Sequence, residues 1–168
     1  SVLIGFLISS GLLLGDGATW KALLCTGKAD FVIPVEVPSN IVESSVSVPS
    51  PLEVAITPDG TRALVTSSND TVTVLDITQP IIGPGYAVPV GSPLGVAITP
   101  DGNRALVANS VDNTVSVLDL NPIVQVVDTV SVPGGPQHIA ITPDGSKAFV
   151  CTISDGTVTV LSLNPTVQ

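Results

Sequence analysis

The 168-residue chain contains no methionine, two cysteines, five basic residues and few aromatics, namely one Trp, one Tyr and three Phe. Because 14 acidic residues outnumber the five Lys and Arg, the net charge is −9 at pH 7. No basic surface is therefore available to neutralise nucleic-acid phosphates or to adhere to an anionic membrane. The low content of Glu, Lys and Arg excludes a coiled coil, and two cysteines are too few for a disulfide scaffold.

Turn-forming and apolar residues dominate what is present. The chain holds 15 Gly and 15 Pro, it is 44% hydrophobic, and its mean hydropathy is +0.58. The strongly apolar run VLIGFLISSGLLL occupies positions 2–14 and is shorter than the about 20 residues that span a bilayer. This composition predicts a single β-rich domain over residues 1–168, with many tight turns and no membrane span.

Three nearly identical segments repeat along the chain. They are VAITPDGTRALV (54–65), VAITPDGNRALV (96–107) and IAITPDGSKAFV (139–150), so the successive spacings are 42 and 43 residues. A second similar run follows each of them: DTVTVLDI (70–77), NTVSVLDL (113–120) and GTVTVLSL (156–163). A period of about 40 to 45 residues with four strand-like runs is typical of a β-propeller blade.

Each repeat unit predicts four strands. In the third unit we expect them at 95–99, 104–109, 113–120 and 124–132. The Pro-Asp-Gly after the first strand predicts a turn, because Pro presets φ, Asp bonds its own backbone and Gly takes a positive φ. The third strand alternates apolar and polar residues, which predicts a half-buried strand. This alternation fails at Leu118 and Asp119, where a bulge and the end of the strand are both consistent with the pattern.

The basic residues indicate a fourth, degenerate unit at the start of the chain. Arg62, Arg104 and Lys147 each follow the Asp-Gly turn, and one period earlier lies Lys21. We therefore predict an all-β fold, a β-propeller of about four four-stranded blades of ~42 residues, alone or as part of a larger propeller. The first blade is degenerate and the last lacks most of its outer strand. The units span about 1–48, 49–90, 91–132 and 133–168.

The first and last units carry separate expectations. Residues 2–8 fit the innermost strand of the first blade, the remnant of a signal peptide or a short helix. Cys25 and Cys151 fall at one repeat position, which Thr66 and Ala108 share. Equivalent atoms of different blades lie beyond the Cα separation of a disulfide, roughly 4.4–6.8 Å. We therefore predict two free, largely buried thiols.

The pattern A-I-T-P-D-G-x-[RK]-A-x-V, followed by [DNG]-T-V-x-V-L-[DS], resembles the YVTN-type β-propeller repeat family. The match is good over residues 42–163, and the family's Asn after the second strand is present only as Asn109. The resemblance implies a protein of the extracellular space, the cell surface or the periplasm, and rings of about seven blades. This chain is then a piece of a larger propeller, half of a two-chain ring, or a small four-blade ring.

The start of the innermost strand is the part of the repeat that varies most in chemistry. Its equivalent residues are Glu53, Gly95 and His138, and Gln137 precedes the lone histidine. In a propeller this position lies at the mouth of the central channel. The candidate binding residues are therefore Glu53, His138, Gln137 and Asn109, and the alternative is an ordinary polar rim.

Recognisable catalytic and metal motifs are missing from the sequence. The single His has no obvious second metal ligand, and the acidic loops lack the carboxylate pattern of a calcium site. No nucleophile elbow, phosphate loop or dinucleotide fingerprint occurs. We predict no catalytic residue, metal or cofactor, and we interpret Asp59, Asp101 and Asp144 as turn formers.

These observations favour a non-enzymatic binding or scaffold module that is exported and mediates protein–protein interaction or assembly. The partner is another protein, or a second copy that adds to the open strand edge of the last blade. Two alternatives remain open. One is a fragment or half of a propeller enzyme, lactonase-like or oxidoreductase-like, with its site at the channel mouth. The other is a structural component of a surface layer or filament.

Overall fold

The computed structural model describes residues 20–25, 30–37, 41–42, 45–78 and 85–163. Regular structure in these residues is entirely β-strand, which confirms the all-β prediction. None of the described segments is a helix long and apolar enough to cross a membrane. The alternatives for residues 2–8 concern a segment outside the described residues.

Fifteen strands lie in the described residues. They are β1 (Trp20–Cys25), β2 (Phe31–Val37), β3 (Ile41–Val42), β4 (Val46–Ser47), β5 (Pro51–Ile56), β6 (Arg62–Ser67), β7 (Thr71–Asp76), β8 (Tyr86–Pro89), β9 (Pro93–Ile98), β10 (Arg104–Asn109), β11 (Thr114–Asp119), β12 (Gln125–Ser131), β13 (Pro136–Ile141), β14 (Lys147–Thr152) and β15 (Thr157–Ser162).

These strands form four antiparallel sheets in chain order. The orders β5-β6-β7-β8 and β9-β10-β11-β12 are up-and-down meanders, the arrangement of a propeller blade. In the first sheet β1 pairs with β2, which also pairs with β3 and β4. The last sheet has the order β13-β14-β15, and within the described part of the chain β15 pairs with β14 alone. The prediction that this unit lacks most of its outer strand concerns residues after 163, which lie outside the described part of the chain.

The first sheet repeats the register of the later ones. Lys21 pairs with Glu36 across β1 and β2, as Arg62 pairs with Asp76 across β6 and β7. The degenerate first unit predicted from the basic residues is therefore present as a sheet.

The turn between the first two strands forms as its sequence predicts. Gly60, Gly102 and Gly145 have φ values of 67°, 70° and 69°, a region that favours glycine. The Asp59 carboxylate accepts hydrogen bonds from Thr57 Oγ1 (2.5 Å) and from the Thr61 N–H (3.0 Å). The same pattern recurs at the other two turns, which confirms the three aspartates as turn formers.

Burial of the third strand differs from the prediction. Val115, Ser116, Val117 and Leu118 are all buried, so the prediction of a half-buried strand is wrong for this blade. The reason is that neighbouring blades cover both faces of the sheet. Pairing of β10 with β11 stays regular to the end of both strands. The register shift between β11 and β12 adds a residue to β12, so β11 has no bulge. Leu118 interrupts the apolar–polar pattern because it lies on the rear face, which is also buried, and Asp119 is the last residue of the strand.

The blades stack face to face, and each junction is a separate apolar cluster. We call the side of a blade that contacts the next blade its forward face, and the opposite side its rear face. In the second blade the forward face is Leu64, Val72 and Val74, which cluster with rear-face residues of the third blade. Those rear-face residues are Ala105, Val107 and Leu118.

The next junction repeats this packing with equivalent residues. The forward face of the third blade, Leu106, Val115 and Val117, clusters with Ala148, Val150 and Leu161 of the fourth. At the first junction, Val32 of the first unit clusters with Ala63, Val65 and Leu75 of the second. The core is therefore a series of similar layers between blades, as expected for repeats that cannot bury their faces alone.

The forward face of the last blade is uncovered. Phe149, Val158 and Val160 are 40%, 56% and 51% exposed, whereas their equivalents in the third blade are at most 1% exposed. Cys151 lies in the same sheet and is a free, exposed cysteine, so the prediction of a largely buried thiol is wrong for this residue. Its repeat position is buried only where another blade follows. The prediction for Cys25 concerns a side chain outside the described part of the structure.

Matched truncations at one repeat position should measure the energy of a junction. Leu106→Ala removes a fully buried side chain between two blades and should lower the free energy of unfolding by about 2–5 kcal/mol. Phe149→Ala, at the equivalent exposed position, should cost less than about 1 kcal/mol. Urea unfolding of both variants, at a protein concentration where the chain is monomeric, measures the difference. Equal losses would contradict the assignment of the forward face.

The turn carboxylates should make the fold sensitive to acid. Hydrogen bonds from Thr142 and Ser146 lower the pKa of Asp144 from 3.8 to about 2, and those from Thr57 and Thr99 lower the pKa of Asp59 and Asp101. A lowered folded-state pKa stabilises the fold above the unfolded value and loses that contribution as the pH falls.

The free energy of unfolding should therefore decrease between about pH 4 and about pH 2. In the triple variant with Asn at these three positions, it should be lower at neutral pH and depend less on pH over this range. Thermal unfolding in a pH series checks both expectations. An unchanged pH dependence would show that the three carboxylates contribute nothing to acid sensitivity.

Candidate functional site

A β-bulge lies at the start of the innermost strand in each of the three later blades. In the second blade Pro51 pairs with Ser67 and Val54 pairs with Val65, so two residues of β5 face one residue of β6. The same shift occurs at the start of β9 and of β13. Bulges bend a strand and redirect a side chain. The bulge is the repeat position at which the sequence carries Glu53, Gly95 and His138.

The structure brings Glu53 and His138 together, although they belong to the second and fourth blades. His138 Nδ1 lies 3.4 Å from Glu53 Oε2. The glutamate side chain is only 13% exposed, whereas the imidazole is 51% exposed. This arrangement is an ion pair when the imidazole is protonated, with the carboxylate inside and the histidine at the surface.

Gly95 of the intervening blade allows this contact. A Cβ atom on Gly95 would lie 2.2 Å from the Gln137 carbonyl oxygen and 3.0 Å from His138 Cα. Real Cβ atoms do not approach backbone so closely, so a side chain here would force β13 away from β9. Because Gly95 has no side chain, residues of the second and fourth blades can meet across the third blade.

The Glu53 carboxylate lies in a partly desolvated environment. Burial raises the pKa of this carboxyl group, while the His138 charge, the His138 hydrogen bond and a hydrogen bond from the Val96 backbone N–H oppose the rise. Residues of the third and fourth blades thus act on a carboxylate of the second blade. Desolvation is the largest of these influences. A cation placed beside the carboxylate would therefore stabilise its charged form.

Thr66 holds the bulge that carries Glu53. Its hydroxyl oxygen accepts from the Glu53 N–H at 3.0 Å and donates to the Leu94 carbonyl of the next blade at 2.6 Å. The sequence places Thr66 at the repeat position of the two cysteines and does not predict this role. The one signal in the sequence is that a hydroxyl is present here, whereas Ala108 occupies the equivalent position of the third blade.

A groove of about 350 Å³, lined mainly by residues with apolar side chains, runs along the inner strands next to this pair. Glu53 is the one titratable residue among those that line it. The walls come from β5, β9 and β13 and include Ala55, Ile56, Val96, Ile98, Ile139 and Ile141. The sequence patterns assigned these apolar residues to inner strands and gave no sign that they also border an open groove.

The other two predicted site residues lie in different surroundings. Gln137 is part of the bulge, and its carbonyl faces Gly95. Asn109 is 1% exposed and its Nδ2 donates to Thr114 Oγ1 and Ser116 Oγ, at 3.0 Å and 2.8 Å. Asn109 therefore joins two strands inside the third blade and does not line the groove. In the segments that the structure describes, no three His, Cys, Asp or Glu residues are grouped to hold a metal ion.

Comparison with solved structures supports a propeller-like fold. A functionally unknown protein from Desulfotomaculum acetoxidans is similar, with TM-score 0.79 and 24% identity over 95% of this chain and 55% of that one. The Cps50 (Swd1) β-propeller domain from Myceliophteria thermophila has TM-score 0.73 and 15% identity, over 92% of this chain and 52% of that one. The chain folds as part of a β-propeller.

A chain of hydrazine synthase from Kuenenia stuttgartiensis is also similar to this propeller, with TM-score 0.79 and 25% identity over 99% of this chain and 51% of that one. The propeller thus spans about half the length of the solved structures it matches. No protein-family model and no curated protein sequence matches it.

Gly95→Ala tests how the site is assembled. The added Cβ would clash with the backbone at Gln137, so we expect β13 to move and the free energy of unfolding to fall by about 1–3 kcal/mol. Chemical denaturation measures the loss, and NMR of the His138 ring reports whether its surroundings change. A variant as stable as the wild-type protein with an unchanged ring signal would refute this role of Gly95.

Proposed function

We propose that this chain is a non-enzymatic, exported propeller module of the YVTN type that binds a basic segment of a partner protein on its channel side. The partner inserts a Lys or Arg side chain along the groove beside β5, β9 and β13. Its charged end then lies against Glu53. Export and the YVTN assignment rest on the resemblance of the repeats, whereas the mode of binding rests on the groove and its carboxylate.

The observation that carries this proposal is one desolvated carboxylate at a groove whose other lining residues all have apolar side chains. Lys and Arg combine an aliphatic stem with a charged end, so they can cover apolar walls and still present a cation. The cation would offset the burial that raises the Glu53 pKa. His138 is half exposed, so its ring can turn aside when a Lys or Arg side chain takes its place.

The overall charge favours the same kind of partner. The chain carries a net charge of −9 with only five Lys and Arg residues. An acidic protein attracts basic segments at long range and accelerates their association. The attraction weakens at high salt, so binding of the partner should depend on ionic strength.

Binding of N-acetyl-lysine amide, followed by NMR titration, tests the site directly. We expect shifts at the groove residues with this probe and much weaker ones with N-acetyl-norleucine amide, which lacks the amine. Glu53→Gln should weaken lysine binding at least about tenfold, since charge-assisted hydrogen bonds contribute about 1.5–3 kcal/mol. Binding should also weaken as the pH falls and Glu53 takes up a proton.

Asp128→Asn is the matched control, because it removes one carboxylate from the exposed outer strand β12 and should leave the affinity unchanged. Equal binding of the two probes, or a Glu53→Gln variant that binds lysine as well as the wild-type protein, would contradict the proposal.

An enzyme is the second candidate, and the Glu53–His138 contact is the observation that favours it. An imidazole beside a carboxylate can transfer protons. Hydrolysis of a lactone that is lost in His138→Ala but retained in Asp128→Asn would replace the binding proposal with this one.

A further inference from the structure

We propose that the forward face of the last blade docks the first unit of a second copy of this chain. The face is formed by Phe149, Cys151, Val158 and Val160 on β14 and β15. It is distinct from the channel-side groove and does not depend on the function proposed for that groove.

This face has the chemistry of an internal junction rather than of a free surface. Its residues are equivalent to Leu106, Val115 and Val117 of the third blade, which the fourth blade buries. A stretch of neighbouring apolar side chains that is exposed in one repeat and buried in the others marks an interaction site. The occupant that fits it is another blade, because two successive junctions of the same chain already pair such a face with a blade.

The required partner surface has a definite pattern. Rear faces at the three junctions carry Ala, Val and Leu at matching positions, as in Ala63, Val65 and Leu75 of the second blade. The register of β1 with β2 places Ala22, Leu24 and Val35 at those positions in the first unit. The first unit of every copy therefore has the residue types of a rear face.

The contact is head to tail, joining the last blade of one copy to the first unit of the other. Such contacts form a closed ring when the rotation that relates one copy to the next returns to the first copy. In a ring of two copies, the copies share two identical junctions.

The reactivity of the Cys151 thiol should show whether a second copy covers the forward face of the last blade. Thr66 and Ala108, the equivalents of Cys151, are fully buried, and the Thr66 hydroxyl contacts the backbone of the following blade. A docked blade should therefore bury Cys151 in the same way. The free and exposed thiol would lose its reactivity toward alkylating reagents when a second copy binds.

Light scattering and thiol labelling, run on the same samples, test the proposal. We use Cys25→Ser protein, so that Cys151 is the one remaining thiol, from about 1 µM to about 1 mM. The mass should rise toward twice 17.0 kDa, and the rate of N-ethylmaleimide labelling should fall at least about tenfold at the concentrations where the mass rises. Val158→Asp, which places a charge in the junction, should weaken association at least about tenfold and restore rapid labelling.

Val127→Asp is the matched control, because this residue of β12 is 51% exposed, much as Val158 is 56% exposed, and it lies on the outer strand of the third blade. It should change neither the mass nor the labelling rate, and both Asp variants should melt near the wild-type temperature. A monomer at every concentration with one constant labelling rate would overturn the proposal. Association that leaves Cys151 reactive, or that survives Val158→Asp, would overturn it as well.

Discussion

Face-to-face packing between consecutive blades is the interaction on which the rest of this structure depends. Each sheet is too thin to form a core by itself, so its apolar side chains are buried only when a neighbouring blade covers them. The clusters around Leu64 and Leu106 show the same side-chain types on each side of the junction. Stability, the burial of individual residues and the exposure of the last blade all follow from this packing.

The candidate site follows from the same packing at the inner edge of the blades. Stacked blades bring their inner strands side by side, and the bulge that opens each strand turns one residue out of the regular pattern. Because Gly95 has no side chain, Glu53 and His138 reach each other across the third blade. The site therefore combines repeated backbone geometry with three residues that differ between repeats.

Much of the fold could be predicted from residues close together in the sequence. The Thr-Pro-Asp-Gly turns form as expected because their hydrogen bonds join residues two to five positions apart. The sequence also pointed to Glu53 and His138 as unusual members of a repeat. It did not predict their 3.4 Å contact, the role of Gly95 or the apolar groove, since these depend on how far apart separate blades lie.

The sequence by itself determined the repeat period and the strands and turns of each unit. These properties are local, because backbone preferences and the alternation of side chains act within one unit. Tertiary structure decided which faces of a blade are covered. Phe149 and Leu106 occupy equivalent positions, yet one is 40% exposed and the other fully buried. The difference arises because burial depends on the presence of a neighbouring blade, which no residue of the unit itself encodes.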